Sequence, residues 1–190
     1  SATHVAQDAA GNMTKVPKPT SWAAHYDLTY DAWNRLVKVE DGGNPLGTYT
    51  YQGLGRGIQK IGGFTYDFYY DEAWRVVELR RSADPDPLEQ YVWHAHYIDA
   101  PAVRFYDANT NNNIVEHYYG HDAQFNVTLV HDVSGNVLER YTYSPYGELT
   151  IMHPTTWATI ASSTIGNRYT FTGREYDPES GLYHFRHRTY

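Results

Sequence analysis

The sequence predicts an all-β chain of stacked antiparallel β-hairpins, and three observations carry that prediction. First, a short phrase recurs: a Tyr-Asp pair, a turn with Gly, Asn or Arg, then an apolar strand start. Copies are Tyr30-Asp31-Ala-Trp-Asn-Arg-Leu36, Tyr51-Gln52-Gly-Leu-Gly55-Arg-Gly-Ile58, Tyr70-Asp71-Glu-Ala-Trp-Arg-Val76 and His131-Asp132-Val-Ser-Gly135-Asn-Val137. Repetition at a period of roughly 20 residues leaves room for two short strands and two turns. Second, the flanks alternate in polarity as half-buried strands do. Third, the apolar content of 41% leans on 19 Tyr and 5 Trp, residues that favour strands and half-wet surfaces.

Bulk properties narrow the function. A chain of 190 residues is one domain or one stretch of a longer array. A net charge of -7 argues against a nucleic-acid backbone binder, which needs clustered Lys and Arg. With no Cys there is no disulfide, thiolate metal site or cysteine nucleophile. No apolar run reaches the ~20 residues of a membrane-spanning helix. The opening Ser1-Ala2-Thr3-His4 carries no basic-then-apolar signal pattern, and both ends are expected to be tied down by neighbouring structure.

The turns follow in order. Asp8-Ala-Ala-Gly11-Asn12-Met13 opens the series, then Asp31 to Leu36 with Asn34, Gln52 to Ile58, and Asp71 to Val76. Next come Asp122 to Val127, Asp132 to Val137 with Gly135, and Ser144-Pro-Tyr-Gly147-Glu-Leu149. The last, Asp177-Pro-Glu-Ser-Gly181-Leu182, is one residue longer. Asp bonds its own backbone two residues on, and Gly or Asn accepts positive φ. Between the turns, Tyr26, Leu28 and Tyr30 share a strand face, as do Phe64, Tyr66, Phe68 and Tyr70. Tyr91, Trp93, Ala95 and Tyr97 form a third face, and Glu139, Tyr141 and Tyr143 lie on another. Val16-Pro17-Lys-Pro19 reads as an extended connection and Asp84-Pro85-Asp86-Pro87 as a rigid turn. The one candidate for a short helical turn is Thr155 to Ser163, inside a non-repetitive insert near 152–168.

These residues resemble the YD repeat of RHS-repeat proteins, and the second half resembles the RHS repeat-associated core. The matching stretches are Tyr97-Ile-Asp-Ala-Pro101, Ala123-Gln-Phe-Asn-Val127, Val133 to Tyr141, Tyr143 to Glu148, and Tyr169-Thr-Phe-Thr-Gly-Arg174 leading to Tyr176-Asp-Pro-Glu-Ser-Gly-Leu-Tyr183 and Arg186 to Tyr190. The resemblance divides the chain into hairpins over 1–97 and a core-like region over 98–190, together one continuous unit. It implies a β-sheet strip, curved or spiralled into a hollow shell around a C-terminal passenger that is often a toxin, at the cell surface or outside the cell. The family's self-cleaving segment is expected beyond Tyr190, so none of its residues is carried over here.

Candidate sites are few. Asp107, Asn109, Asn111, Asn113 and Glu116 place oxygen ligands as in a Ca²⁺ loop, although Tyr118 stands where such loops have Glu; the plain reading is an Asn-rich turn. His94 and His96 share a strand face and can present two imidazoles to Zn²⁺, with His117, His121, His184 or His187 as further ligands; the plain reading is a solvated or stacked histidine face. Trp33 and Trp74 hold near-equivalent turn positions and offer two stacking surfaces for glycans, against ordinary packing. Asp177 and Glu179 form a carboxylate pair but fit a turn better, and there is no Gly-x-Ser-x-Gly elbow. The chain is therefore expected to be a non-enzymatic shell or assembly segment without cofactors other than Ca²⁺. Its open sheet edges are completed by more of a larger RHS polypeptide or by self-association into a filament. A toxin-delivery cocoon and a glycan-binding surface are the alternatives.

Overall fold

The computed structural model describes residues 5–19, 21–82, 84–186 and 188–189. Both ends of the chain and His187, about which the sequence raised expectations, lie outside the described residues. The all-β prediction holds. Fifteen strands form one antiparallel sheet in which spatial order is sequence order. They are β1 (Ala6–Gln7), β2 (Met13–Lys18), β3 (Ser21–Tyr30), β4 (Leu36–Asp41), β5 (Asn44–Tyr51), β6 (Gly57–Ile61), β7 (Thr65–Tyr70) and β8 (Val76–Arg81). There follow β9 (Glu89–Trp93), β10 (Pro101–Tyr106), β11 (Val115–His121), β12 (Val127–His131), β13 (Val137–Tyr143), β14 (Leu149–Met152) and β15 (Thr159–Ile160). A smaller sheet of β16 (Glu175–Asp177), β17 (Leu182–Phe185) and β18 (Arg188–Thr189) ends the chain. Because every neighbour in the large sheet is a sequence neighbour, each pairing closes only a short loop.

The repeated phrase has one local geometry. In the turns beginning at Asp8, Asp31, Gln52, Asp71, Asp122, Asp132 and Ser144, the first residue's amide donates to the carbonyl four residues on. The amide three residues on donates back to the first residue's carbonyl. The fourth residue has positive φ: Gly11, Asn34, Gly55, Trp74, Phe125, Gly135 and Gly147. Where the turn opens on Asp, one carboxylate oxygen accepts main-chain amides. Those of Trp33 and Arg35 bond Asp31 at 2.9 and 3.0 Å, and those of Ser134 and Asn136 bond Asp132 at 2.9 and 2.8 Å. The other oxygen accepts the side chain of the fifth residue: Asn12, Arg35, Arg75, Asn126 or Asn136. This is why Arg or Asn follows the positive-φ residue. Hydrogen bonds from Asn12 and Asn136 hold the Asp8 and Asp132 carboxyls below their usual range. At Asp31, Asp71 and Asp122 burial pushes the other way, and the same kinds of bond outweigh it.

The strand after each turn does not alternate simply. Tyr30 pairs with Leu36 but Thr29 with Lys38, so Val37 is an extra residue. The same shift occurs at Gly57 and Gln59 and at Val127 and Leu129. Such bulges put buried positions three apart, as at Leu36 and Val39 and at Val127 and Val130, and Val76 and Leu79 keep the same spacing. A bulge disturbs the ladder locally, and the aromatic residue before the next turn supplies a donor to this part of the strand. Tyr51 Oη donates to the Leu36 carbonyl at 2.7 Å, Trp93 Nε1 to Val76 at 2.8 Å, and Tyr143 Oη to Val127 at 2.6 Å. Tyr143→Phe is expected to cost about 1 kcal/mol, read as a lower urea midpoint at unchanged slope.

Three local expectations are corrected. Val16-Pro17-Lys18 is strand rather than connection, with Pro17 opposite His25 next to a register shift that tolerates its missing donor. The face expected to run from Tyr91 to Tyr97 stops at Trp93, because the His94 amide turns to the Ala100 carbonyl at 2.8 Å and closes a loop. Thr155 to Ser163 is not helical. His153 Nδ1 accepts the Thr155 and Thr156 amides, and β15 follows.

The chain forms two compact units, Ser1–Asp67 with Asp177–Tyr190, and Phe68–Tyr176. The boundary expected near residue 97 falls inside the second. The first unit buries Tyr26, Leu28, Leu36, Val39 and Tyr49 with Leu182. The second buries Val76, Tyr91, Tyr119, Val127, Val130 and Tyr141 with Ile151 and Tyr169.

Candidate functional site

In each unit a late segment of the chain is fastened to a sheet face by buried charged groups. In the second unit the fastened segment is 163–174. Glu89 and Arg104, with side chains 2% and 0% exposed, pair at 3.2 Å on adjacent strands β9 and β10. Arg168 adds a second cation at 3.3 Å, and Tyr91 Oη donates to the other Glu89 oxygen. Arg104 also donates to the Ile165 carbonyl at 3.0 Å and lies 3.9 Å above the Tyr106 ring. Burial works against the Glu89 charge, but the two guanidiniums outweigh it and hold the carboxyl below its usual value. His117, opposite Arg104 in the register, is pushed down to about 4 by burial and then by the Arg104 charge.

Glu139, fully buried on β13, accepts Tyr141 Oη at 2.6 Å, Ser163 Oγ at 2.8 Å and Thr164 Oγ1 at 2.7 Å. It also takes the Thr164 and Ile165 amides. Asn167 accepts Tyr119 Oη at 2.9 Å, and the Tyr169 ring stands edge-on to Tyr91 and Trp93. The segment ends in a further copy of the repeat turn. The Thr170 amide donates to Arg174 and the Gly173 amide to Thr170, with Thr in the place of Asp. That turn is held by Arg174 on Asp99 at 2.6 Å and by the Thr172 amide on Asn126 at 2.8 Å.

In the first unit the fastened segment is 177–184. Lys60 Nζ lies 2.6 Å from Asp177 Oδ1 with side chains 4% and 2% exposed, and it also contacts Glu179. Tyr49 Oη donates to Asp177 Oδ2 at 2.7 Å, and His184 stands edge-on to the Tyr49 ring. Burial disfavours the Lys60 charge, yet Asp177 and Glu179 raise its pKa above the usual lysine value. Burial likewise opposes the Asp177 charge, but bonds with His184 and Glu179 and the Lys60 ammonium hold that carboxyl far down. Glu179 goes up, through burial and its bond with Asp177.

The sequence reading missed Lys60, Glu89, Arg104, Glu139 and Asn167 and gave Asp177 only a turn role. A signal existed. Lys60 and Arg104 hold the fourth position of their strands, a buried place filled elsewhere by Val39, Leu79 and Val130. Glu89 and Glu139 both stand two residues before a buried Tyr. A lone charge in an otherwise apolar repeat position calls for a partner from outside the repeat.

The sequence-predicted sites lie elsewhere. Asp8, Gly11, Asp31, Asn34, Asp71, Asp132, Gly135 and Gly147 sit in their turns as described, and Gly181 closes the longer turn by donating to Asp177 at 2.7 Å. Asp107 is buried, and its two oxygens accept the Asn109 and Asn112 amides at 3.3 and 2.6 Å. Asn111 accepts the Asn113 amide, and Glu116 takes the Tyr118 hydroxyl. His94 faces His121, with ring centroids 5.9 Å apart, and His96 lies in the following bend. Among the described residues no three His, Asp or Glu groups are placed to hold a metal ion. Trp33 is 75% exposed with Arg35 over its ring, whereas Trp74 is half-buried at positive φ.

No family model matches the chain. It is 30% identical over 190 residues to the tRNA3(Ser)-specific nuclease WapA of Bacillus spizizenii, covering 98% of this chain and 7% of that protein. It is 28% identical to the tRNA nuclease WapA of Bacillus subtilis over the same shares. Among solved structures, TcdB2-TccC3 superposes at a TM-score of 0.62 with 21% identity, over 97% of this chain and 9% of that one. A Photorhabdus luminescens Tc holotoxin pore gives 0.64 with 21% identity over the same shares. The fold is thus of the RHS type, and the chain resembles a small segment of a larger RHS polypeptide. The expectation that the chain is not an enzyme is corrected, because the curated relatives are nucleases by name. The match covers 7% of each, so their catalysis is not assigned to any residue here.

Proposed function

We propose that this chain is a wall segment of an RHS-type shell in a toxin polypeptide, that further chain of the same polypeptide completes its sheet, and that the shell encloses a toxin passenger outside the producing cell. The observation that carries this reading is one of proportion. Nearly the whole chain aligns with 9% of a holotoxin chain and 7% of a nuclease, and what aligns is sheet. Among the described residues the large sheet ends on β1 and β15, where added chain can continue the ladder. The buried fasteners give a wall the rigidity that enclosure requires.

Limited proteolysis of the whole natural polypeptide tests the reading. The passenger is expected to resist protease while the wall is intact and to become cleavable when Arg104→Met loosens it. A passenger equally accessible in both would overturn the enclosure.

A further inference from the structure

We propose that Lys60 and Asp177 condense to an intramolecular amide that ties β6 covalently to the closing segment of the first unit, with Glu179 as proton carrier and Tyr49 as oxyanion donor. The inference stands on the local site and not on the shell reading. Four chemical roles meet in one place. Lys60 Nζ is a nucleophile when neutral, and it lies 2.6 Å from an oxygen of the carboxyl it would attack. Asp177 Cγ is the electrophile, held with its side chain 2% exposed, where water competes poorly. Tyr49 Oη, 2.7 Å from Oδ2, donates to the oxygen on which negative charge develops. The Glu179 carboxyl contacts Lys60 Nζ, and the Glu179 main-chain amide bonds Asp177 Oδ1 at 3.1 Å, which holds that residue against both partners.

The step balances without a co-reactant. The resting pair is an ammonium and a carboxylate. Glu179 relays a proton from Lys60 Nζ to Asp177 Oδ1, leaving a neutral amine beside a carboxylic acid, and the amine attacks Cγ to form a tetrahedral centre. Oδ1 then leaves as water, carrying that proton and a second from the former amine, and the Nζ–Cγ bond remains. Glu179 suits the task because it touches both partners: its carboxyl contacts the Lys60 ammonium and its main-chain amide bonds Asp177 Oδ1. Fixed placement of the Lys60–Asp177 pair, with side chains 4% and 2% exposed, replaces activation by an external reagent. Lys60 stands where other repeats have Val39 or Leu79, so packing alone does not call for it.

Mass spectrometry of the natural polypeptide after tryptic digestion tests this directly. The expected product is a branched species joining Gly57–Arg75, uncleaved after Lys60, to Glu175–Arg186, one water lighter than the two peptides together. Fragmentation must place the bond between Lys60 and Asp177, which separates it from an amide of equal mass between Lys60 and Glu179. Lys60→Arg is expected to abolish the branched species, and Glu179→Gln to abolish or strongly reduce it. Wild-type chain that yields only the linear peptides, with free cleavage after Lys60, would overturn the proposal without recourse to any variant.

Discussion

Arg104→Met is expected to destabilise the fold by about 3–5 kcal/mol, because it removes one partner of a fully buried ion pair. Glu89 would keep Arg168, which is 13% exposed, but would lose the cation that is wholly out of solvent. The Ile165 carbonyl would also lose its donor, so the 163–174 segment would loosen. The paired replacement Glu89→Leu with Arg104→Leu should recover only part of that loss, since it removes the stranded carboxylate but takes these partners from Arg168, the Tyr91 hydroxyl and the Ile165 carbonyl. The repeat supports the partial recovery, because Leu79 on β8 and Val130 on β12 already fill the position that Arg104 holds on β10. Urea unfolding of the three chains decides it; equal losses for the single and paired replacements would defeat the argument.

The same centre sets a pH dependence. The Glu89 carboxyl has a lower pKa folded than unfolded, so folding favours its ionised form. Its contribution is complete above the ordinary carboxylate value and is lost as pH falls through the folded pKa. The natural chain should therefore lose stability on acidification more steeply than the paired Leu variant.

Gly173→Ala is the second large effect. Gly173 has φ +65°, where a side chain costs roughly 1–2 kcal/mol by itself. An added Cβ would lie 2.7 Å from the Asp99 carbonyl carbon and closer still to its oxygen, and both are main-chain atoms that cannot swing away. Docking of the Thr170 turn against the Asp99 loop, together with the Arg174 to Asp99 bond, would be forced apart. Gly135→Ala is the control: φ is +82° there but no atom lies within 4 Å of the added carbon. The Gly173 variant should lose several-fold more stability than the Gly135 variant in thermal or urea unfolding. Equal losses would show that backbone conformation alone matters at both sites.

The hairpin stack was legible because its causes are local. Asp31 accepting its own downstream amides, Gly135 taking positive φ, and Asn136 returning to Asp132 all act within five residues, and each repeats along the chain. The bulges were less legible. One extra residue such as Val37 shifts the buried set from alternate positions to every third, and plain alternation misreads that. The fasteners were least legible. Glu89 and Arg168 are 79 residues apart, and Lys60 and Asp177 are 117 apart. Sequence spacing says nothing about which of many charges will meet across such distances.

The sequence by itself thus determined the strand order, the turn chemistry and the all-β class, since short-range hydrogen bonding and polarity suffice for each. Only the tertiary structure decided which charges are buried and what they hold. The cost of burying Glu89, Glu139 or Lys60 is recovered only when a distant segment arrives with the matching donors or carboxylates.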